Sequence, residues 1–556
     1  MGAAVAAGDA IDFSPGAQIP VSGGAGGTAA TQALASAAYR DGPVDQLLKA
    51  NSDWATSEVK KPRISLFEPD FGEAFSRAVQ QRMLASGRKP LIQSFGLEPQ
   101  VIVEHCLAAS RIRKQRDSRL TVIMVVFGLL FLPGVLLWLG VFQLRRSLAG
   151  AQDKRAGILG TVLLAALGVI AVIFMIKMPV DGFWGIYLRA MLIVPLIGGY
   201  AAKITCERTA KDLRERWNGL LDGSGIAAKI PEAVPRDPGH STAEQLRQNL
   251  ERLSAEQRSN VVFYAGPKGI LGMGTRWGSW QLAEEIVPAD PGKGINPFRS
   301  WDIVRAAHDQ LKLLERTPIN AGGLTAPHVE HWVVSPIGEG AGSVSRPGGT
   351  GGDSYQVRGS QLQDICDKQH FGSGDRHYLG VQFTLWDGQL VITLLINVTV
   401  LHKTLRIEVT GHALGPTHPL FNDRPKKRTK TVKKAVKFWE TREFTLPVVP
   451  VKEVVRLAAR APLTWYPPLL EHWGGKLVLP EPFGLRHAWA DKPWRHRFMA
   501  DDAMRAATPV LRVVHEAALG VLADHGVSTE RFGNRATFLS GAVQDPTPRQ
   551  ADVYNA

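Results

Sequence analysis

A run of basic residues in the C-terminal half has the composition of an anion-binding surface. The segment "RPKKRTKTVKKAVK", residues 424–437, contains no acidic residue. Its basic positions are Arg424, Lys426, Lys427, Arg428, Lys430, Lys433, Lys434 and Lys437. Near an anionic leaflet each such charge contributes about 1 kcal/mol to the free energy of membrane binding. The sequence therefore predicts contact with anionic lipid headgroups. A solvated loop and a nucleic-acid surface are the alternatives, although no base-reading fold accompanies the segment.

Phosphate binding is the second chemistry that residue spacing suggests. Gly266 ends the apolar segment "NVVFYAG", and Gly269, Gly272 and Gly274 follow it, where a phosphate-binding loop after a strand would lie. The Walker ending Gly-Lys-Ser/Thr is missing, and the spacing G-x-G-x-x-x-G differs from the dinucleotide pattern. A close-packed surface loop is the favoured interpretation, and a membrane-bound enzyme or nucleotide sensor that uses loop 266–278 is the alternative.

Two short clusters carry potential metal ligands. His328, Glu330 and His331 lie within the segment "HVEH", and Cys366 and His370 are spaced i, i+4. Zinc requires three or four convergent ligands, and neither cluster has a standard spacing. The sequence therefore predicts no metal site and no cofactor.

One polar cluster could in principle do acid–base chemistry. Asp375, Arg376 and His377 lie beside a glycine-rich turn that precedes a strong β pattern. Proton transfer by such a group requires convergent geometry, and polar residues at a hairpin turn are the simpler interpretation. No catalytic residue is predicted, and the sequence favours a non-enzymatic protein.

The elements that must position these residues include three nearly uncharged runs. They cover residues 120–144, 157–176 and 183–202. A helix of twenty residues spans about 30 Å, which is the thickness of the hydrocarbon core of a bilayer. Pro133 and Gly134 lie at the centre of the first run and predict a membrane turn there. The first run then forms a hairpin, with a proline-kinked crossing as the alternative.

The distribution of basic residues predicts the topology. Lys and Arg are concentrated in residues 111–119, 145–155 and 203–216, whereas Lys177 alone lies between the second and third runs. Cytoplasmic flanks of membrane segments carry an excess of Lys and Arg. A hairpin followed by two crossings places all three basic segments inside the cell. The sequence therefore predicts a multi-pass cell-membrane protein with a cytoplasmic C-terminal domain.

The soluble part is predicted to have an α+β fold. Alternating apolar residues in 377–414 indicate an antiparallel β-meander, with a two-residue turn at Asp387–Gly388 and helices on both sides in sequence. The predicted divisions are a disordered Ala/Gly-rich arm (1–60), a helical juxtamembrane segment (61–118), a membrane segment (119–202), a charged helix and linker (203–235), a soluble domain (241–545) and a loose tail (546–556).

Composition limits the function classes further. The net charge is +14, and three dispersed cysteines argue against a disulfide framework. The Ala-, Gly- and Arg-rich composition is typical of high-GC bacteria. With few spans and Arg189 as the one charge inside the third run, a transporter is disfavoured.

The predicted function is an integral membrane anchor. It would present its cytoplasmic domain at the inner leaflet and recruit a cytoplasmic protein partner or assembly, such as a secretion or contractile injection particle. Small residues in the membrane runs suggest a homo-oligomer as a further expectation. Binding of nucleic acid through the basic segment is the alternative partner assignment.

Overall fold

A computed structural model shows that the protein combines helices and β-strands, as the sequence predicts. Its main sheet is mixed, whereas the sequence predicts an antiparallel meander. The structure describes residues 27–52, 56–85, 90–150, 182–223, 233, 239–316, 325–337, 355–368, 372, 374–426, 429–433, 441–445 and 447–534, with a few positions between 162 and 173. Most of the predicted second apolar run lies outside these residues, as does the predicted C-terminal tail.

The described elements run through the chain in the following order. The helices are α1 (Ala29–Ser36), α2 (Asp45–Leu48), α3 (Phe71–Leu84), α4 (Pro99–Ile123), α5 (Leu132–Gly150), α6 (Phe183–Leu221), α7 (Ser241–Gln257), α8 (Ser300–Arg316), α9 (Gly359–Lys368), α10 (Val451–Arg460), α11 (Pro467–Gly474), α12 (Leu485–Trp489), α13 (Arg497–Asp524) and α14 (Glu530–Asn534). The strands are β1 (Glu58–Lys60), β2 (Val261–Tyr264), β3 (Thr275–Glu285), β4 (His328–Pro336), β5 (Arg376–Leu385), β6 (Leu390–Leu401), β7 (Thr404–Leu414), β8 (Thr429–Lys433), β9 (Thr441–Thr445) and β10 (Lys476–Val478).

Six strands form the main sheet in the order β2–β4–β5–β6–β7–β3. β2 runs parallel to β4, and every other neighbouring pair is antiparallel. Leu385 pairs with Leu390, so four residues connect β5 to β6. Trp386, Asp387 and Gly388 all have positive φ angles. The predicted two-residue turn at Asp387–Gly388 is thus two residues longer, because the strands separate one residue earlier on each side.

The sheet is buried on both faces. The period-two residues of β6 pack beneath α8 and α13; they are Leu390, Ile392, Leu394, Ile396 and Val398. The alternate residues Val391 and Leu395 are also buried, on the opposite face. A strand covered on both faces is apolar at nearly every position. This explains the almost continuous apolar composition of β6.

Two described helices, α6 and α13, are long and apolar enough to span a membrane. They differ in burial: 50% of the apolar window of α13 is buried, against 17% for α6. The apolar side chains of α13, among them Val510 and Val514, pack on the sheet core. We therefore interpret α13 as a core helix and α6 as the membrane candidate.

Part of the predicted disordered arm is structured. Within residues 1–60, α1 and α2 are helical, and Ala30, Leu34 and Leu47 are fully buried. Alanine-rich sequence has few large apolar groups and resembles disordered sequence for that reason. Here the small side chains let α1 pack against α4 and α6, and its burial comes from that close approach.

One core cluster joins segments from before and after the apolar runs. Phe71, Val103, Trp217, Leu250 and Trp489 all belong to it. The predicted juxtamembrane segment 61–118 therefore shares a core with the C-terminal part of the chain. The body that contains this core, called the soluble body below, is built from segments on both sides of the apolar runs, and a chain shortened to begin at residue 241 would lose much of this core.

The first apolar run is sharply bent. After α4, Met124–Leu129 winds as a π-helix, and the axes of Pro99–Leu129 and Leu132–Val141 meet at 97°. A wide π turn is a common place for a helix to bend. Pro133 lies in the first turn of α5, where its missing N–H costs no hydrogen bond. The bend precedes the predicted turn at Pro133–Gly134 by about two residues, and it is a right angle rather than a full reversal.

Candidate functional site

Helix α6 connects the apolar region to the soluble core. At 39 residues it is about 58 Å long. Its N-terminal half exposes large side chains such as Trp184 and Ile186. Its C-terminal half buries Leu213 and Trp217 in the core of the soluble body. One continuous helix therefore carries both the apolar surface and the anchoring contacts.

The bent segment packs closely on α6. A Cβ built on Gly134 would lie 2.0 Å from the carbonyl oxygen of Met191, so the two backbones are in contact there. Trp138 Nε1 donates a hydrogen bond to the carbonyl oxygen of Leu192 at 3.0 Å. Glycine at position 134 permits this approach, since any side chain would collide with backbone atoms. On the other side of Pro133, the Tyr187 hydroxyl donates to the carbonyl oxygen of Leu130 at 2.9 Å. The bend is therefore held by specific contacts on both sides of Pro133.

A small apolar cluster lies where the apolar runs meet the soluble body. Leu120 and Ala202 pack there with Leu457 and Ala461. Ala461 begins a 3₁₀ helix that ends at Trp465. The side chains of Trp465 and Tyr466 are 65% and 62% exposed. Two large aromatic residues thus project close to the end of the apolar runs, a feature that the sequence analysis missed.

Ion pairs between α10 and the N-terminal end of α3 hold this region together. The Arg460 guanidinium binds both carboxylate oxygens of buried Glu73. Burial alone would raise the pKa of Glu73, but Arg460 and Arg77 outweigh it and hold that pKa well below its usual range. Arg456 similarly binds Asp70 and Glu453. These charge-assisted bonds fix the geometry of the region.

One buried arginine of this region has no direct carboxylate partner. Arg113 donates to the carbonyl oxygens of Ala38, at 2.8 Å, and Gly72, at 3.3 Å. No carboxylate oxygen of the described residues lies within 4 Å of it, whereas the neighbouring Arg116 pairs with Asp117 at 2.8 Å. Burial lowers the pKa of Arg113. The charge of nearby Glu73 opposes this shift, so the region contains a desolvated cation whose direct hydrogen-bond acceptors are carbonyl oxygens.

A cavity of about 1050 Å³ lies between the bent segment and the soluble body. Its wall includes Leu136 and Leu139 of α5, together with Cys206 and Leu213 of α6. Further wall residues come from the segments 39–43, 65–70 and 448–457, from Arg113 and Arg116 of α4, from Gly140 of α5 and from Arg214 of α6. Residues beyond the bend and residues of the soluble body therefore border the same space.

The basic segment begins on α6 and returns to it. Arg424 pairs with Asp222 at 2.8 Å. After the segment, the backbone N–H groups of Val448 and Val449 donate to the carboxylate of Glu207, at 2.8 and 3.1 Å. Glu207 lies five residues beyond Ala202, about 8 Å along the helix. The returning end of the segment is thus anchored beside the end of the apolar run, whereas its start at Asp222 lies about 30 Å further along the helix axis.

Between these anchors the described residues form a β-hairpin. β8 pairs with β9 in antiparallel register, with Lys430 opposite Phe444 and Lys433 opposite Thr441. The carbonyl oxygen of Lys426 accepts a hydrogen bond from Arg214 at 3.4 Å. The other predicted contact residues, Lys427, Arg428, Lys434 and Lys437, lie outside the described residues. We call residues 424–449 the basic hairpin.

The glycine-rich segment is partly filled by backbone. A Cβ on Gly272 would lie 2.9 Å from the carbonyl oxygen of Gln93, and one on Gly274 would lie 2.2 Å from that of Ala413. Both glycines have positive φ. Their conformation and packing therefore account for glycine at these positions. Gly266 and Gly269 border open space around a short 3₁₀ turn, and the following residues form β3 rather than a phosphate-binding helix.

The candidate metal ligands do not converge. His328 and Glu330 lie on one face of β4 and contact each other at 3.3 Å, whereas His331 points to the other face. His331 Nδ1 lies 3.0 Å from Nε2 of His377. Burial lowers the pKa of both His331 and His377, to about 4 and about 3. No group of three or more suitable side chains converges among the described residues, and His370 lies outside them.

The predicted acid–base cluster is also divided. His377 is buried against His331 and Trp301, while Arg376 is exposed and donates to the carbonyl oxygen of Gly372. The alternation of β5 separates the two side chains. The described geometry therefore gives no support to proton transfer by this cluster.

Comparison with known proteins adds one finding. Residues 279–547 match the model of the AbeC-like domain family. The matched region is a little under half of the chain and contains most of the sheet, α8, α13 and the basic hairpin. It does not include the apolar runs. No curated protein and no solved structure matches the sequence.

Proposed function

We propose that the protein is an integral membrane anchor that holds an α+β domain against the cytoplasmic leaflet, where a cytoplasmic protein or assembly can bind it. The observation that carries the proposal is the dual character of α6. Its apolar half is largely exposed, whereas one face of its charged half buries Leu213, Trp217 and Leu220 in the core. A lipid environment would remove the exposed half from water while the buried half fixes the domain in place.

The bend in the first apolar run supports this topology. Because the run bends by about a right angle, the apolar stretch on each side of the bend is too short to cross a bilayer by itself. Residues on both sides of the bend contact α6, which provides part of the protein cover that a turn within the membrane requires. Leu139, beyond the bend, borders the same cavity as Pro43 and Val449 of the soluble body. We infer that both ends of this run lie on one side of the membrane.

The surface beside the apolar runs has the composition of a lipid interface. The basic hairpin returns to α6 at Glu207, and anionic headgroups attract such charges. Trp465 and Tyr466 are exposed near Leu120 and Ala202, and Trp and Tyr are enriched at the headgroup level. The nucleotide-sensor alternative has less support, because backbone atoms occupy the space beside Gly272 and Gly274.

Tryptic cleavage of the basic hairpin in nanodiscs tests the proposal. The full chain would be reconstituted in phosphatidylcholine or in phosphatidylglycerol, with cleavage after exposed Lys403 as the internal reference. We expect cleavage within 424–437, relative to Lys403, to be at least about tenfold slower in the anionic lipid. High salt should remove the difference, because the Debye length falls to about 3 Å at 1 M. Equal relative rates in the two lipids would contradict lipid contact.

A further inference from the structure

The cavity between the bent segment and the soluble body has a mixed wall. Its apolar part includes Leu66, Leu136, Leu139 and Val449. Its charged part includes buried arginines and the exposed Lys452. Its volume of about 1050 Å³ is at the upper end of the range for small-molecule sites. Such a wall suits a ligand with one apolar and one charged end.

The sign of the charged end follows from the ion pairing of the wall. Four carboxylates border the cavity: Asp41, Glu68, Asp70 and Glu453. Three of them are already engaged by wall arginines, since Asp41 binds Arg214 and the other two bind Arg456. Arg113, which also borders the cavity, has only carbonyl oxygens as direct partners among the described residues. A ligand with an anionic group would therefore complement this wall.

A second cation of the wall is incompletely neutralised. The side chain of Arg40 is 4% exposed, and its closest carboxylate, Asp423, lies 3.7 Å away and is itself 62% exposed. Its guanidinium also stacks over the Trp217 ring at 4.7 Å from the centroid. Burial lowers the pKa of Arg40 to about 10. An anion in the cavity would reduce the cost of keeping this buried group charged.

The position of the cavity indicates where such a ligand would come from. Leu136 borders the cavity and is 60% exposed on the outer surface of α5. Under the proposed membrane location, this surface faces lipid. Basic pockets beside membrane helices on the cytoplasmic side bind anionic headgroups. We propose that the cavity binds one anionic phospholipid, taken from the cytoplasmic leaflet, with its phosphate at the arginine wall and an acyl chain along α5. This inference rests on the proposed membrane function.

A pair of glycines provides matched variants for the test. Gly140 of α5 borders the cavity, and a Cβ added there meets no atom within 4 Å. Gly199 of α6 is also exposed and helical, and its Cβ also meets no atom within 4 Å, but it does not border the cavity. Gly140→Trp should occupy part of the cavity, whereas Gly199→Trp adds the same bulk elsewhere in the apolar region.

Native mass spectrometry of the full chain, after delipidation in detergent and titration with phospholipid, measures the occupancy. We expect one phosphatidylglycerol per chain for the natural sequence and for Gly199→Trp, and about tenfold weaker binding for Gly140→Trp. Lys452→Glu should weaken phosphatidylglycerol binding but not phosphatidylcholine binding, and Lys492→Glu, an exposed control outside the cavity, should change neither.

Three outcomes would overturn the proposal. The first is equal retention of phosphatidylglycerol by Gly140→Trp and Gly199→Trp. The second is a cavity occupied by detergent only. The third is displacement of the lipid by millimolar glycerol phosphate, which would identify a free phosphate site. Failure of the membrane proposal is distinguishable, because the natural chain would then be absent from the membrane fraction of lysed cells. A chain that fractionates with membranes but retains no phospholipid would contradict the cavity proposal alone.

Discussion

The contact between Gly134 and Met191 gives a prediction whose sign can be worked out. Gly134→Ala places a Cβ 2.0 Å from the Met191 carbonyl oxygen, and 3.0 Å from its carbonyl carbon. Both are backbone atoms, so α5 must move by roughly 1 Å or more to relieve the overlap. Overpacking of this kind costs about 1–3 kcal/mol.

The same displacement acts on a second contact. Trp138 donates to the carbonyl oxygen of Leu192 one turn further along α5, and losing that hydrogen bond costs about 0.5–1.5 kcal/mol. Replacement of glycine by alanine in a helix returns about 0.5–1 kcal/mol through conformational entropy. The expected net loss in the free energy of unfolding is therefore about 0.5–4 kcal/mol.

Gly199→Ala is the matched control for this prediction. A Cβ at Gly199 meets no atom within 4 Å, so this variant should gain about 0.5–1 kcal/mol from helix propensity alone. Thermal unfolding of the full chain in nanodiscs, followed by tryptophan fluorescence, compares the two. A Gly134→Ala variant that melts at or above the natural protein would refute the proposed close packing of the bend.

Three further predictions concern the buried charges and the exposed aromatic residues. Arg460→Met leaves Glu73 buried without its main partner and should cost about 3–5 kcal/mol at pH 7. The pKa of Glu73 is lowered only in the folded natural protein, so this stabilisation is present above the usual carboxyl pKa. The stability difference between the natural protein and Arg460→Met should therefore shrink on acidification. A loss of stability that does not depend on pH, measured in thermal melts, would contradict this prediction. Burial raises the pKa of Glu104 from 4.5 to about 7, so the folded state holds that proton more tightly and stability falls as pH rises through this window. Glu104→Gln should therefore stabilise the chain by about 3 kcal/mol at pH 8 and by little at pH 4, and an equal effect at both pH values would be inconsistent with this cause. For the aromatic pair, Trp465→Phe should reduce tryptophan quenching by a headgroup-level quencher in nanodiscs, whereas Trp386→Phe should not; equal reductions would place Trp465 away from the interface.

The parts of the fold that follow a simple periodicity could be predicted from the sequence. The alternation in β6 identifies both the strand and the face that packs beneath α8 and α13. Strand β3 was missed, because glycines surround its start and a register shift between Arg276 and Gly278 interrupts the alternation. Helix α1 was missed because its burial depends on alanines packing against distant helices. In both segments the local sequence pattern is too weak to predict the element, because the Gly- or Ala-rich composition is also typical of irregular chain.

The candidate site could be predicted only in pieces. The basic segment and the break near Pro133 are visible in sequence, since charge and proline act locally. The cavity and the Glu73–Arg460 pair are not visible, because their residues come from segments hundreds of positions apart. The exposed Trp465 and Tyr466 gain their significance because nearby Ala461 belongs to the same apolar cluster as Leu120 and Ala202. Only the tertiary structure brings these groups to one surface.

The most direct test is to determine on which side of the membrane the two ends of the bent segment lie. Single cysteines at Gly150, Gly182 and Lys403 would be treated with a membrane-impermeant maleimide in intact cells, with the buried native cysteines giving little background. We expect labelling of Gly182→Cys in intact cells, and labelling of Gly150→Cys and Lys403→Cys only after permeabilisation. Labelling of Gly150→Cys in intact cells would mean that the first run crosses the membrane. Labelling of Lys403→Cys would place the sheet domain outside the cell and contradict the account.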